Sequence, residues 1–385
     1  MKKLLILITV AVSFTSAAQV EIDLFSEMNG ILELEDGSTT NFWGYGFQGQ
    51  GGVGVMTLPA PMLVVQQGED VNVNMFNPSP EAHTIHWHGL DVDQANDGVP
   101  STSFSIAPGE EATYSFNASH SGTYLYHCHV TTTLHLTMGM YGMFVVEYAE
   151  NQLFEDGVTY EHEFYFLTSD LEIETNDNPT QAFPFHEIHP DYFMVNGKSG
   201  SQIELDDGAY TIGNDRVALR LGNMAYSKVV YTFPDELNAA VHMSDGRPLP
   251  SPFNVSELEI YPGERFSVVL SPSNDLSPTT IGVDYYDMLN DELVGMNTIP
   301  FGLITVGSVG EKSNLIKVFP NPTTNSISLE GLAADEIRII NSNGKVVYHE
   351  TNAQSTQSID VSFLPAGNYF VLTETGQRVG KFIKQ

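Results

Sequence analysis

The sequence predicts an all-β protein, with β-sandwiches in tandem followed by a smaller β unit. Three observations carry this. Short runs rich in β-branched and aromatic residues recur along the chain, and no convincing helical period competes with them. Clusters of Gly, Pro, Asn and Asp separate the runs, in a chain of 385 residues with 33 Gly and 20 Pro. A Pro-Gly-Glu turn leading into an alternating strand occurs twice, in "APGEEATYSF" at 107–116 and "YPGERFSVVL" at 261–270, as expected if two similar domains follow one another.

In chain order, Lys2 and Lys3 precede an apolar run from Leu4 to Phe14, and Ser16-Ala17-Ala18 supplies small residues, so residues 1–18 read as a signal peptide. Strands are predicted at Met62–Val65, Asp70–Phe76, Thr113–Phe116 and Gly142–Tyr148, and again at Arg216–Leu221, Lys228–Phe233, Glu257–Tyr261 and Phe266–Leu270. Such spacing is that of β-sandwiches. Residues 19–150 carry 16 acidic and no basic side chains, 151–310 carry 25 and 6, and 311–385 carry 7 and 7. The return to neutrality near Gly310 marks a domain boundary, and the chain divides into 1–18, 19–150, 151–310 and 311–385. A net charge of −33 opposes nucleic-acid binding, since a polyanion would meet a polyanion. After the signal no apolar stretch reaches the roughly 18 residues that span a bilayer.

The chemistry concentrates in "HTIHWHG" at 83–89 and "YHCHVTTTLHLTMGM" at 126–140. In a strand, side chains two apart share a face and neighbours oppose each other. His86 and His88 therefore point together, His83 the other way; His127 and His129 share a face with Cys128 opposite. This sorts the donors into two adjacent sets. His83, Cys128, and His135 and Met140 from the return loop form one, with Met138 as a rival for the thioether position. A thiolate, two imidazoles and a weak thioether suit a blue-copper electron-transfer centre, because zinc has no use for the thioether. His86, His88, His127 and His129 form the second set, suited to copper or zinc by ligand type and to copper by its place beside Cys128. The chain's single Cys has no disulfide partner to compete for it. His120, in "NASHSGTY", reads as an exposed loop residue and Trp87 as packing on the face opposite its two His neighbours.

With "FWGYGFQGQGGVGVMTLPAPMLVVQQGEDVNVNMFN", "IHWHGLDVDQANDGVP", "IAPGEEATYSF" and "SGTYLYHCHV", the chain resembles the cupredoxin-fold multicopper oxidases, the group that contains laccases. "YFMVNGKSG", "VALRLGN", "MSDGRPL" and "IYPGERFSVVLS" extend the likeness more weakly through residues 192–305. The resemblance implies two tandem cupredoxin-like Greek-key β-sandwiches and copper as cofactor. By it, His83, Cys128, His135 and Met140 hold the type 1 copper that takes electrons from substrate, His86 is a type 2 ligand, and His88, His127 and His129 are type 3 ligands where oxygen is reduced. His127, Cys128 and His129 form the electron relay. The partners implied are a small reduced substrate, phenolic or a metal ion, and oxygen. The seven-residue step from Cys128 to His135 is like the two-domain laccases that assemble as homotrimers. One departure stands out: the second domain of this family normally supplies two His-x-His pairs, whereas 151–310 holds only His162, His186, His189 and His242, none so paired.

The tail, from "KVFPNPTTNSISLEG" to "LPAGNYFVLTETGQRVGKFIKQ", closely resembles the C-terminal sorting domain of the type IX secretion pathway, a small β-sandwich. That implies export through the periplasm to the cell surface or medium, with the secretion machinery as a partner. The leading expectation is thus a secreted copper-dependent oxidoreductase. A second reading is a blue-copper electron-transfer or copper-sequestering protein in which only the Cys128 set is redox-active. A nitrite-reductase-like enzyme ranks last, because that family spaces its residues differently after the Cys and normally lacks a His-Cys-His string.

Overall fold

The computed structural model describes residues 19–48, 54–180, 188–203, 210–211, 215–272, 279–303, 317–320, 323–330, 337–341, 346–351, 354, 356–364, 367–373 and 378–384. The expected signal peptide, the boundary near Gly310 and His186 lie outside them.

The first unit has strands β1 (Gln19–Glu33), β2 (Thr39–Phe47), β3 (Ala60–Gln66), β4 (Asp70–Phe76), β5 (His86–His88), β6 (Glu111–Asn117), β7 (Gly122–His127) and β8 (Tyr141–Glu147), with one helical turn, α1 (Thr132–Thr137), between the last two. They form two four-stranded sheets, ordered β2-β1-β4-β6 and β3-β8-β7-β5. Burial alternates strictly along β4, where Val71, Val73 and Met75 face inward and their neighbours outward. Between the sheets lies one apolar cluster, in which Trp87 is 1% exposed and packs edge-on against Tyr114 and Phe144. Full burial of side chains of this size is worth roughly 2–3 kcal/mol each, so this cluster dominates the unit's stability.

The second unit has strands β9 (His162–Leu171), β10 (Tyr192–Val195), β11 (Tyr210–Thr211), β12 (Val217–Asn223), β13 (Lys228–Thr232), β14 (Ala240–Ser244), β15 (Arg247–Asn254), β16 (Glu257–Ile260), β17 (Arg265–Leu270), β18 (Thr279–Tyr286) and β19 (Leu293–Leu303). A six-stranded sheet, β10-β9-β12-β17-β14-β15, faces a five-stranded one, β11-β19-β18-β13-β16, over its own core. Strands from Lys317–Phe319 to Arg378–Lys384 form two smaller sheets around a third core. All eight strands expected in the first two units are present, with ends shifted by a residue or two.

The repeated Pro-Gly-Glu turn is a repeated structure. In the first unit Asn77 N–H donates to Glu110 O at 2.9 Å and Gly109 N–H to Asn77 O at 2.7 Å. In the second, Asn223 N–H donates to Glu264 O at 3.2 Å and Gly263 N–H to Asn223 O at 2.8 Å. Both glycines have positive φ, 78° and 86°, which an L side chain adopts only with strain. Each Asn side chain is also buried and fully used. Asn77 Oδ1 accepts from Ser26 and Ser79, while Nδ2 donates to Glu81 O at 2.7 Å and Ile106 O at 2.8 Å.

Leu125, Tyr141, Met143 and Val145 of the first unit bury against Leu167 of the second. An ideal Cβ on Gly222 would lie 3.2 Å from Leu125, so the absent side chain lets β12 approach β7. Strand β7 thus has the metal-ligand candidates at one end and the second unit along its flank.

Asn77→Ala removes the buried acceptor shared by the Ser26 and Ser79 hydroxyls and one of the donors to each of the Glu81 and Ile106 carbonyls, and should cost about 3 kcal/mol of stability. The check is urea unfolding of the copper-free protein; an unchanged midpoint would contradict this role for Asn77.

Candidate metal centre

Antiparallel pairing of β5 with β7 sets His86 opposite His127, Trp87 opposite Tyr126 and His88 opposite Leu125. Along β5 the parity holds: His86 and His88 are partly exposed, and Trp87 between them is buried. β5 does not reach His83, which precedes it and forms an isolated bridge to Ile106 in both directions, at 3.1 and 2.8 Å. Asn77 fixes this bridge through Ile106 O. β7 ends at His127, but Cys128 N–H still donates to Met140 O at 3.1 Å and His129 N–H to Thr84 Oγ1 at 2.8 Å, so the chain direction persists through the string.

The structure brings three members of the Cys128 set together. Cys128 Sγ lies 3.1 Å from His135 Nδ1 and 3.7 Å from His83 Nδ1, and all three residues are buried. His135 is not on an open loop as expected. It sits in α1, whose Met138 N–H donates to Leu134 O and whose end is closed by Met140 N–H to His135 O at 2.9 Å, so a helical turn brings the imidazole back over the sulfur. Met140 is fully buried, paired through its backbone with Cys128. Met138 is equally buried, and its carbonyl accepts from Trp43 N–H at 2.8 Å. Burial holds His83 down to about 3 and His135 to about 4, so both are neutral donors at neutral pH. Burial pushes the Cys128 thiol up, partly offset by hydrogen bonds around Thr84 and Val130. A bound cation reverses that balance by deprotonating the thiol outright.

These residues fit a copper ion. Two imidazole Nδ1 atoms face one sulfur, which makes Nδ1 the ligating atom on each ring, while His135 Nε2 lies 3.6 Å from Glu81 Oε2. A soft sulfur with two imidazoles is the copper-preferring combination.

The second set also assembles. Donor atoms of His86, His88 and His127 lie within 4.8 Å of one another, and the His129 ring is centred 5.2 Å from that of His86. Outer partners orient the rings: His86 Nδ1 donates to Asp97 O at 2.8 Å, His127 Nδ1 to Cys128 O at 3.0 Å, and His129 Nδ1 meets Thr132 Oγ1 at 3.2 Å. Each leaves Nε2 for the shared space, the arrangement expected of metal-ligating imidazoles. Burial holds His88 to about 4 and His127 to about 3. The Asp97 partner was legible only as part of "ANDGVP". Its position depends on Gly98, φ 72°, where a Cβ would lie 1.9 Å from Ile85 O.

Other histidines lie elsewhere. His120 is exposed as expected, and pairs with Asp91 at 3.1 Å; His162 pairs with Asp215 at 3.2 Å; His189 and His242 are not among the described groups that could share an ion. What the second unit does place against His88 is Gly263, with the charges of Arg265 and Asp245 near enough to act on the imidazole; sequence reasoning did not single these residues out.

The family description "Multicopper oxidase" matches residues 52–151 and again 155–293, and "Secretion system C-terminal sorting domain" matches 317–385. Among curated proteins, copper resistance protein A of Escherichia coli is 31% identical over 140 residues, 36% of this chain and 22% of that protein. L-ascorbate oxidase of Brassica rapa subsp. pekinensis is 24% identical over 295 residues, 69% of this chain and half of that protein. The chain thus spans half or less of the length of these relatives. Among solved structures, the blue copper oxidase of Nitrosomonas europaea superposes with a TM-score of 0.61 at 26% identity, over 76% of this chain and 90% of that one. With these matches falling on the two cupredoxin-like sandwiches and on the tail, the chain belongs to the multicopper oxidase family, takes copper as its cofactor, and carries a C-terminal secretion sorting domain.

Proposed function

We propose that this copper oxidoreductase is an exported oxidase with oxygen as acceptor. His83, Cys128, His135 and Met140 hold a type 1 copper, and His86, His88, His127 and His129 hold the copper at which oxygen is reduced. One observation carries the reading: Cys128 Sγ faces the His83 and His135 nitrogens while its chain neighbours, His127 and His129, belong to the other set. Copper supplies one-electron exchange with substrate at the first set and oxygen chemistry at the second.

The protein's own contribution is placement. Cys128 links the two sets covalently, through one peptide bond on either side. Thr84 ties the same region twice, through its hydroxyl to His129 N–H and its carbonyl to Tyr45 O–H at 2.6 Å, which holds β5 and the string at fixed spacing. Burial excludes water from the Cys128 set, while His86 and His88 keep an exposed edge by which a small acceptor reaches the second set. A homotrimer that lays a neighbouring chain over that edge belongs to this reading, as does release at the cell surface directed by the sorting domain. The reductant is a phenol or a reduced metal ion. The 16 acidic and no basic residues of 19–150 favour a cation by steering.

A second reading, electron transfer without oxygen turnover, draws on the absence of His-x-His pairs in 151–310 and on the charge pair that stands against His88 instead.

Copper loading with absorption and oxygen-uptake measurements tests the first reading. Cys128→Ser should abolish the intense thiolate-to-copper absorption that gives such a centre its blue colour; a copper-loaded wild type without that band overturns the Cys128 assignment. His127→Ala should keep most of the band yet lower oxygen uptake by about 100-fold or more, a loss of the size seen when a metal site or its relay is broken. Uptake at the wild-type rate would contradict the relay. With a cationic reductant, the bimolecular rate should fall steeply as ionic strength rises, and a salt-independent rate would remove steering.

A further inference from the structure

Cations are scarce where this site lies. Residues 19–310 hold four arginines, and three of them converge on β7. Arg220 Nη1 reaches Thr123 Oγ1 at 3.4 Å, Arg247 Nη1 donates to Tyr124 O–H oxygen at 2.8 Å, and Arg265 Nε donates to Thr123 O at 3.4 Å. Arg220 is neutralised by Glu163 at 2.6 Å, and Arg247 by Asp91 at 2.7 Å. Arg265 differs in what it touches. Its side chain is 5% exposed, and Nη1 donates both to Gly263 O at 2.6 Å and to Asp245 Oδ1 at 2.9 Å, a carboxylate that is itself half exposed.

Two glycines make its approach to the imidazoles close. Gly89, the residue after His88, has φ +87°, and a Cβ there would lie 2.2 Å from Arg265 Nη2. Gly263, held by Arg265, lies so near His88 that a Cβ on it would sit 3.0 Å from His88 Cε1. One guanidinium therefore bonds the Pro-Gly-Glu turn of the second unit to β7 and packs against Gly89, the residue that follows β5. In the corresponding turn of the first unit the residue at this position is Glu111, exposed on β6, so the cation is particular to the turn that meets the metal set.

We propose that Arg265 is a positioning residue of the His86, His88, His127 and His129 site: it clamps the Gly263 turn against His88 and holds a fixed positive charge beside it, so that the copper-loaded site favours small anionic ligands, with Asp245 as the counter-charge that moderates the effect. This rests on the assignment of copper to that site under the proposed function. A guanidinium removed from bulk water acts through a lower effective dielectric than a surface one, so its field at the site is weakly screened. The one carboxylate paired with it is half in water and offsets it incompletely.

The test uses the full-length, copper-loaded protein and azide as the anionic probe, with copper per chain and the thiolate-to-copper band as internal controls. Arg265→Gln should keep the band and the copper content while weakening azide binding by about tenfold, equivalent to about 1.4 kcal/mol. Arg265→Lys should recover part of that loss by restoring the charge. Asp245→Asn should tighten azide binding several-fold. Because Asp245 is half exposed, this variant carries the test alone if the Gln variant does not fold. Opposite signs for the two substitutions support the inference, since a merely structural role would weaken binding in both. Wild-type azide affinity in either variant at wild-type copper content overturns it and leaves the copper assignment standing. One copper per chain in the wild type, with no azide-responsive copper, overturns the assignment and this inference together.

Discussion

Consecutive residues of an extended chain must point to opposite sides, and at His127-Cys128-His129 this constraint makes one segment contribute to both groups of candidate metal ligands. The sulfur is delivered to His83 and His135, in the buried body of the first sandwich, while the flanking imidazoles are delivered to His86 and His88 at its edge. Everything nearby holds that segment at its place. β5 pairs with it in a register that opposes His86 to His127, β8 pairs on the other side, and the Cys128 N–H to Met140 O bond returns the chain after α1. A one-residue slip would send the sulfur to the solvent edge and the imidazoles into the core. The large buried aromatics around Trp87 oppose such a slip, because each would lose its burial.

Burial does a second job. An imidazole that is protonated cannot bind metal, and desolvation disfavours the charged form, so His83, His88, His127 and His135 are kept as neutral donors far below their ordinary titration range. The same burial leaves the Cys128 thiol reluctant to ionise without metal, which makes a cation and the thiolate mutually dependent. A buried free thiol of raised pKa is also a poor nucleophile, so the copper-free protein is protected from chemistry at its one cysteine.

The charge distribution follows a related logic. With 41 acidic and six basic residues in 19–310, the surface repels itself, and three of the four arginines are spent at the junction between the sandwiches. Arg220, with no exposed side chain, is tolerable there only because Glu163 lies against it; an unpaired buried charge would cost several kcal/mol. The two sandwiches are related by their Asn and Pro-Gly-Glu turns, yet the second keeps the scaffold without the imidazoles and puts Arg265 where its turn meets His88.

Local pattern was enough for the all-β class, for the strands around both Pro-Gly-Glu turns, and for the sorting of His86, His88, His127 and His129 away from Cys128, because a period of two is written directly into the order of residues. The ligand types themselves, one thiol among imidazoles and thioethers, named the metal. Tertiary structure decided what depends on residues distant in sequence. It showed that His83 is held by a bridge to Ile106 instead of by the strand of His86, that α1 carries His135 over the sulfur, and that Gly98 lets Asp97 orient His86. It alone revealed Arg265, about 180 residues from His88 in the chain, at the metal set. No local periodicity encodes such a meeting: it arises from the packing of one sandwich on another, where the missing side chain of Gly89 admits the guanidinium and that of Gly263 admits His88.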